Sequence, residues 1–301
     1  MRKKTQAYTE KEIRYFLEEL HLKKKISVTK IQKIYGISRT TLNRGSKKYK
    51  IPIINNSKAI FNYDYFEKID SEEKAYWLGF IAADGNVREG KKSVNLFELS
   101  LKLSDSSHLE IFKDAINFKK PILKDHFRCR LMLADVVFCR NLIDKGVVPR
   151  KSLILKFPTE EQVPTELIRH FIRGYFDGDG CISNPLKRAI SVSLLGTNDF
   201  LKKCLETIGH EDRKLIKDKR NTNVQMFILN GKNAINFLNL MYKDSNVFLQ
   251  RKYYRYLIYI ARYERNLRFE QGKIGEVLLN KLDNAERDVL EFLQKSISCR
   301  A

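Results

Sequence analysis

Little in this chain favours thiol or imidazole chemistry. Its five cysteines, Cys129, Cys139, Cys181, Cys204 and Cys299, are odd in number and never form a C-x-x-C pair. That pattern speaks against a disulfide framework and against a thiolate zinc site. The five histidines are scattered, so neither a histidine-based metal cluster nor a histidine-centred nuclease finds support. No apolar run reaches the length of a membrane span, and "MRKKTQAYTEKE" has no apolar signal core. The expectation is a protein with no membrane association, in the cytoplasm with the nucleoid or in another intracellular DNA compartment. Acid is also scarce. With 36 Asp and Glu against 57 Lys and Arg, the net charge is +21. Such an excess points to a polyanionic partner, nucleic acid or an anionic membrane surface. A solvated basic surface is the plainer alternative.

What is present can fold. At 301 residues and 43% apolar composition, the chain can bury a core in two domains or in one large duplicated one. Residues 1–50 hold fifteen Lys and Arg against four Glu, about half of the whole excess. Within them "YTEKEIRYFLEELHL" reads as a helix capped by Thr9, with Glu12 completing a capping box. Two shorter helices follow, Ile31 and Ile34 marking the apolar face of the first, Gly36 the turn, and Ser38 the cap of the second. Arg39, Thr40, Thr41, Asn43 and Arg44 would then be presented near the start of that second helix. The arrangement resembles a helix-turn-helix, whose second helix enters the DNA major groove; a basic helical hairpin packed on the main body is the other reading. Residues 51–69, with a proline and an Asn-Asn-Ser cluster, read as a linker.

From residue 70 the chain repeats itself. Residues 70–160 and 161–262 each read α-β-β-α-β-β-α, an α+β pattern with an antiparallel sheet carrying helices on one face. Phe97, Leu99, Leu101 and Leu103 alternate with Glu98, Ser100 and Lys102, and Phe127, Cys129 and Leu131 alternate with Arg128 and Arg130. Lys102, Arg128 and Arg130 on the polar face are candidate DNA contacts, or solvated positions of an ordinary sheet. Residues 263–301 contain an amphipathic helix, for which packing on the body is favoured.

The informative stretches are "AYWLGFIAADGNV" (75–87) and "HFIRGYFDGDGCI" (170–182). Each is an apolar helix that must be buried, and each ends in an aspartate, Asp84 or Asp179, about 95 residues apart. Asp70 or Ser71 is the expected cap of the first, with Glu73 available for a capping box. Gly79 and Ala83 in one helix, Gly174 and Gly178 in the other, lie on one face, one turn apart. Glycine within a helix costs about 0.5–1 kcal/mol relative to alanine. Close backbone packing would offset that cost, and solvent exposure would not. If the two helices cross at these notches, their C-terminal ends bring Asp84 and Asp179 together. A helix C-terminus disfavours a carboxylate, and like charges resist joint ionisation. Such a pair suits Mg²⁺, which can polarise a phosphate and activate water. Alone, "DGDG" is an ordinary turn; two copies at the spacing of a duplicated domain are not.

These two stretches, "WLGFIAADG" and "IRGYFDGDG", resemble the paired motifs of the LAGLIDADG homing endonucleases in their single-chain, two-repeat form. The resemblance covers roughly residues 70–260. It implies a pseudo-two-fold saddle of two antiparallel sheets over double-stranded DNA, formed by a monomer, with the motif helices at the interface. It implies Mg²⁺- or Mn²⁺-dependent hydrolysis of both strands of a long asymmetric site, leaving 3′ overhangs. In this resemblance Asp84 and Asp179 bind metal, Ala83 and Gly178 offer backbone carbonyls, and a basic residue after each repeat approaches the scissile phosphate. Lys151 and Lys252 are the matching choices, with Lys156 a rival for Lys151. Ala82 departs from the pattern where the second motif keeps Asp177, and Arg173 stands where a small residue is usual, read here only as a partly exposed helix face. A non-cleaving DNA-binding regulator or an RNA-splicing maturase on the same scaffold is the alternative.

Overall fold

The protein is described from a computed structural model covering residues 8–24, 26, 28–51, 61–88, 96–185, 188–218 and 221–264. The amphipathic stretch expected in 263–301 lies almost wholly outside them. The chain divides into two compact units, residues 1–61 and 62–301.

The first unit is helical. α1 (Glu10–Tyr15) carries the capping box of Thr9 and Glu12 and runs on as a π-helical stretch, Phe16–Lys23. α2 (Val28–Tyr35) and α3 (Arg39–Tyr49) follow, joined by a turn in which Gly36 takes φ +70° and Ser38 caps α3 by accepting from the Thr41 amide. Phe16, Leu17, Leu20, Val28, Ile31, Ile37, Leu42 and Ile51 form its own core. Ile34 is not part of that core. It is 57% exposed, and Val28 with Ile31 is the buried pair of α2, because a helix this short has room for one apolar stripe and Ile34 falls beside it.

The second unit contains two copies of one topology. The first is α4 (Glu72–Asp84), β1 (Gly85–Arg88), β2 (Leu96–Lys102), α5 (Ser106–Ala115), β3 (Leu123–Lys124), β4 (Arg128–Ala134) and α6 (Val136–Asp144). The second is α7 (Ile168–Asp179), β5 (Gly180–Ile182), β6 (Ser191–Gly196), α8 (Asn198–Thr207), β7 (Ile216–Asp218), β8 (Asn221–Asn230) and α9 (Gly231–Tyr242), followed by α10 (Gln250–Glu264). Both sheets are antiparallel, ordered β1-β2-β4-β3 and β5-β6-β8-β7. Alternation sets their faces. Phe97, Leu99 and Leu101 on β2 pair with Leu133, Leu131 and Cys129 on β4, all buried on the helix side.

Three local features differ from the sequence reading. Phe127 is 81% exposed, since β4 begins one residue later. It sits in a turn where the Asp125 carboxylate accepts from the Phe127 and Arg128 amides, so the period-two rule does not reach it. Ser71 alone caps α4, accepting from the Lys74 amide, and no capping box forms with Glu73. Finally, Tyr65, Phe66 and Ile69, read as the end of a linker, are buried. The Phe66 ring packs on Phe112 and Phe138 of the first repeat.

Candidate metal centre at the paired helix tips

α4 and α7 pack backbone against backbone. A Cβ on Gly79 would fall 1.9 Å from the Phe171 carbonyl oxygen, and one on Gly174 would fall 1.9 Å from that of Tyr76. One turn further on, a Cβ on Gly178 would meet the Ala83 Cβ at 2.3 Å and Asp84 Oδ2 at 3.4 Å. The small residues therefore hold the helices close along their length and bring their C-terminal tips side by side. Asp84 and Asp179 end those helices, and each aspartate is followed by a glycine that opens a strand.

Asp84 is exposed at its tip yet ringed by protein. That crowding, with the negative charge of Asp179, pushes its carboxyl up to about 6 against the pull of Lys252 and Lys151. Asp179 also shifts upward through loss of water, opposed by Lys151 and then Lys252 and by a hydrogen bond from Tyr175. Each aspartate thus feels the lysine of the opposite repeat more than that of its own. Two carboxylates that ionise reluctantly beside each other are what a cation relieves.

The lysines themselves are buried. Lys151 Nζ donates to the Ala83 and Gly85 carbonyls at 3.0 and 2.6 Å. Lys252 Nζ donates to the Phe176, Asp177 and Gly180 carbonyls at 2.5, 2.9 and 2.5 Å. Each ammonium closes the end of its own repeat's motif helix, where orphan carbonyls and the negative end of the helix dipole favour a cation. Burial lowers both lysines, Lys252 to about 8, with Arg251 adding to the effect and Asp177 and Asp84 opposing it. Lys156 is exposed. Of the two carbonyls singled out in the sequence, that of Ala83 is the one Lys151 already engages.

A cleft opens beside each aspartate. One, of about 910 Å³, is lined by Asp84, Gly178, Lys102, Arg128 and Arg251. The other, of about 350 Å³, is lined by Asp179, Ala83, Lys151, Tyr175, Leu195 and Val224. Lys102 and Arg128 face each other across β2 and β4 and both are exposed, a like-charge pair that an anion between them would relieve. Arg130 lies in the same strand, 3.6 Å from the Asp125 carboxylate. In the first unit, Arg39, Thr40, Asn43 and Arg44 are exposed and Thr41 is half-buried at the α3 cap.

Three further residues have structural roles that the sequence did not assign. Arg251 points into the cleft of Asp84 and donates to Asp105 at 3.1 Å. Asp177, fully buried, accepts from the Tyr76 and Tyr242 hydroxyls and the Leu249 amide, so it anchors the start of α10 and has no counterpart at Ala82. Arg173 is 1% exposed, which overturns its reading as a partly exposed face. It donates to Glu72 at 2.7 Å and to the Val247 and Met241 carbonyls. A guanidinium can be buried here because every side of it meets an acceptor.

Residues 166–241 match the family model described as a LAGLIDADG-like domain. The second repeat is a LAGLIDADG-like domain. No curated protein matches the sequence significantly. Among solved structures, that of the I-SmaMI LAGLIDADG homing endonuclease bound to cleaved DNA aligns at TM-score 0.45 and 15% identity, over 73% of this chain and 96% of that one. The I-LtrWI LAGLIDADG homing endonuclease bound to target DNA aligns at TM-score 0.41 and 12% identity, over 76% and 97%. The matched residues include α7, which ends at Asp179, and the first repeat carries the same element order and sheet register around Asp84.

The residues present fit a divalent cation of the hard, oxygen-loving kind. Among the described residues no cluster of three or more His, Cys, Asp or Glu gathers, so an all-protein cage is not on offer. Two carboxylates with helix-end carbonyls leave places for water and phosphate oxygens, the pattern that Mg²⁺ accepts and a structural zinc does not.

Proposed function

We propose that the protein is a site-specific double-strand DNA endonuclease, dependent on Mg²⁺ or Mn²⁺, acting as a monomer on a long asymmetric site and leaving 3′ overhangs. The observation that carries this reading is the pair of aspartates at touching helix tips, one on each of two repeats, each beside its own open cleft. One duplex has two scissile strands, and the unit has two such half-centres.

In this reading Asp84 and Asp179 hold the metal with the carbonyls of Gly178 and Ala83, the latter sharing its oxygen with the Lys151 ammonium or releasing it as the metal binds. When bound, it would polarise a phosphate oxygen and activate a water. Lys151 and Lys252 fix the helix ends and lend positive charge to the opposite aspartate. Lys102, Arg128 and Arg251 line the cleft of Asp84 and would meet the phosphate backbone there, while Arg130 faces the bases. The first unit, through Arg39, Thr40, Thr41, Asn43 and Arg44, serves as an accessory DNA-binding module.

The test is incubation of a randomised duplex library with the full chain and Mg²⁺, followed by sequencing of the ends. A single recovered sequence with matched breaks in both strands is the expected result. Retention of a sequence without breaks would make the protein a binder, and the nuclease reading would fall.

A further inference from the structure

The two sheets share one topology and one register, so their open faces can be compared residue by residue. The glycine after each motif helix sets the frame, Gly85 pairing with Leu99 and Gly180 with Leu194. From there, the cross-strand row Ser100, Arg130 and Leu123 of the first sheet corresponds to Leu195, Met226 and Ile216 of the second. The neighbouring row Asn86, Glu98 and Met132 corresponds to Cys181, Ser193 and Ile228. Arg128, one step before Cys129, corresponds to Val224, one step before Gln225. Glu98, Arg128 and Arg130 on one face thus become Ser193, Val224 and Met226 on the other.

These second-sheet side chains are not core. Leu195, Val224, Met226 and Ile228 are half-buried on the side away from the helices, and Ile216 is 45% exposed. Nor is the face remote from the site, since Leu195 and Val224 wall the cleft that contains Asp179 and Lys151. A face of this kind beside a nucleic-acid site needs an apolar partner. In the DNA major groove, which admits a β-ribbon, the thymine 5-methyl group is the apolar feature on offer, whereas arginine pairs with guanine.

We propose, on the reading of the protein as a DNA endonuclease, that the second sheet reads thymine 5-methyl groups through Leu195, Val224 and Met226, which stand where the first sheet has Ser100, Arg128 and Arg130. The first sheet reads its half of the target through charge and hydrogen bonds. The target is then chemically lopsided, with thymine methyl contacts concentrated in one half.

The test uses the full chain and the duplex it selects from a randomised library, with thymine replaced by deoxyuridine in one half at a time. Deoxyuridine keeps every hydrogen bond and lacks only the methyl. Affinity is expected to fall about fourfold per contacted methyl in one half, from the free energy of burying a methyl-sized group, and less than about twofold in the other. Leu195→Ser, which installs the residue of the first sheet, should abolish part of that sensitivity and leave the other half unaffected. Equal or absent sensitivity in both halves, with the duplex still bound specifically, overturns the inference and leaves the endonuclease reading intact. A free protein that is a dimer broken by Met226→Arg, with no deoxyuridine effect, assigns the face to a second copy and also overturns it. Failure to select any duplex removes the underlying reading, and the inference with it.

Discussion

A methyl group on Gly79 would lie 1.9 Å from the carbonyl oxygen of Phe171, closer than any rotamer change relieves, because both groups are backbone. Gly79→Ala and Gly174→Ala should each destabilise the fold by about 3 kcal/mol or more, since the overpacking cannot be absorbed by side chains. Chemical denaturation with an unchanged m-value would check it. A loss under about 1 kcal/mol would mean that the helices separate easily.

Asp84 and Lys252 bracket a pH window. The proposed metal would need ionised aspartates, so cleavage should rise with pH through about 6, where the Asp84 carboxyl titrates. Above about 8, Lys252 loses its proton and the helix end loses its cation, so the rate should fall. Stability follows its own signs. Because Asp84 is raised from 3.8, it loses stability as pH climbs towards about 6 and does not recover it above, although water reaching the tip limits the size. Lys252, lowered from 10.5, gives a gain in stability between about 8 and 10.5. Pre-steady-state rates and thermal melts from pH 5 to 9 report both. Mg²⁺ should raise the melting temperature more at pH 7.5 than at pH 5.5, and EDTA should reverse the gain.

Glu72 and Arg173 link the start of α4 to the α9–α10 connection, where Glu72 also accepts from Asn246. Arg173→Met should cost about 3 kcal/mol by leaving the Val247 and Met241 carbonyls without their donor and Glu72 with Asn246 alone. The double variant Glu72→Gln with Arg173→Met should cost less than the sum of the singles, a coupling that a double-mutant cycle measures directly.

Deletion of residues 1–51 should weaken DNA binding and shorten the footprint while leaving the break positions unchanged. The first unit has its own core. Binding of the full chain should also fall by about 10³-fold or more between 50 and 200 mM salt, as expected when six or more phosphates are neutralised. A footprint of unaltered length would assign the first unit another role.

Much of this architecture was legible because it follows from periodicity. Alternating strands, the capping box of Thr9 and the small residues spaced by four all constrain the backbone locally, and the duplication gave each pattern twice. The misses have two causes: partners distant in sequence, and in one case a local turn that shortens a strand. Arg173 reads as a surface residue until Glu72 and the Val247 carbonyl surround it. Phe127 continues an alternation that the Asp125 turn has already ended. Lys151 and Lys252 carry no local mark of lying on helix-end carbonyls, although each follows an arginine in both repeats. The lopsided open faces were hidden for another reason, since only the paired register shows that Met226 stands where the first sheet has Arg130.

The most direct test of the shared acidic centre is double-strand cleavage by Asp84→Asn and Asp179→Asn, measured beside binding of the same duplex. Each variant should lose cleavage of both strands, at least 10³-fold in rate on the order expected for loss of a metal-holding group, while keeping its affinity within about tenfold. Full cleavage by either variant would contradict the account.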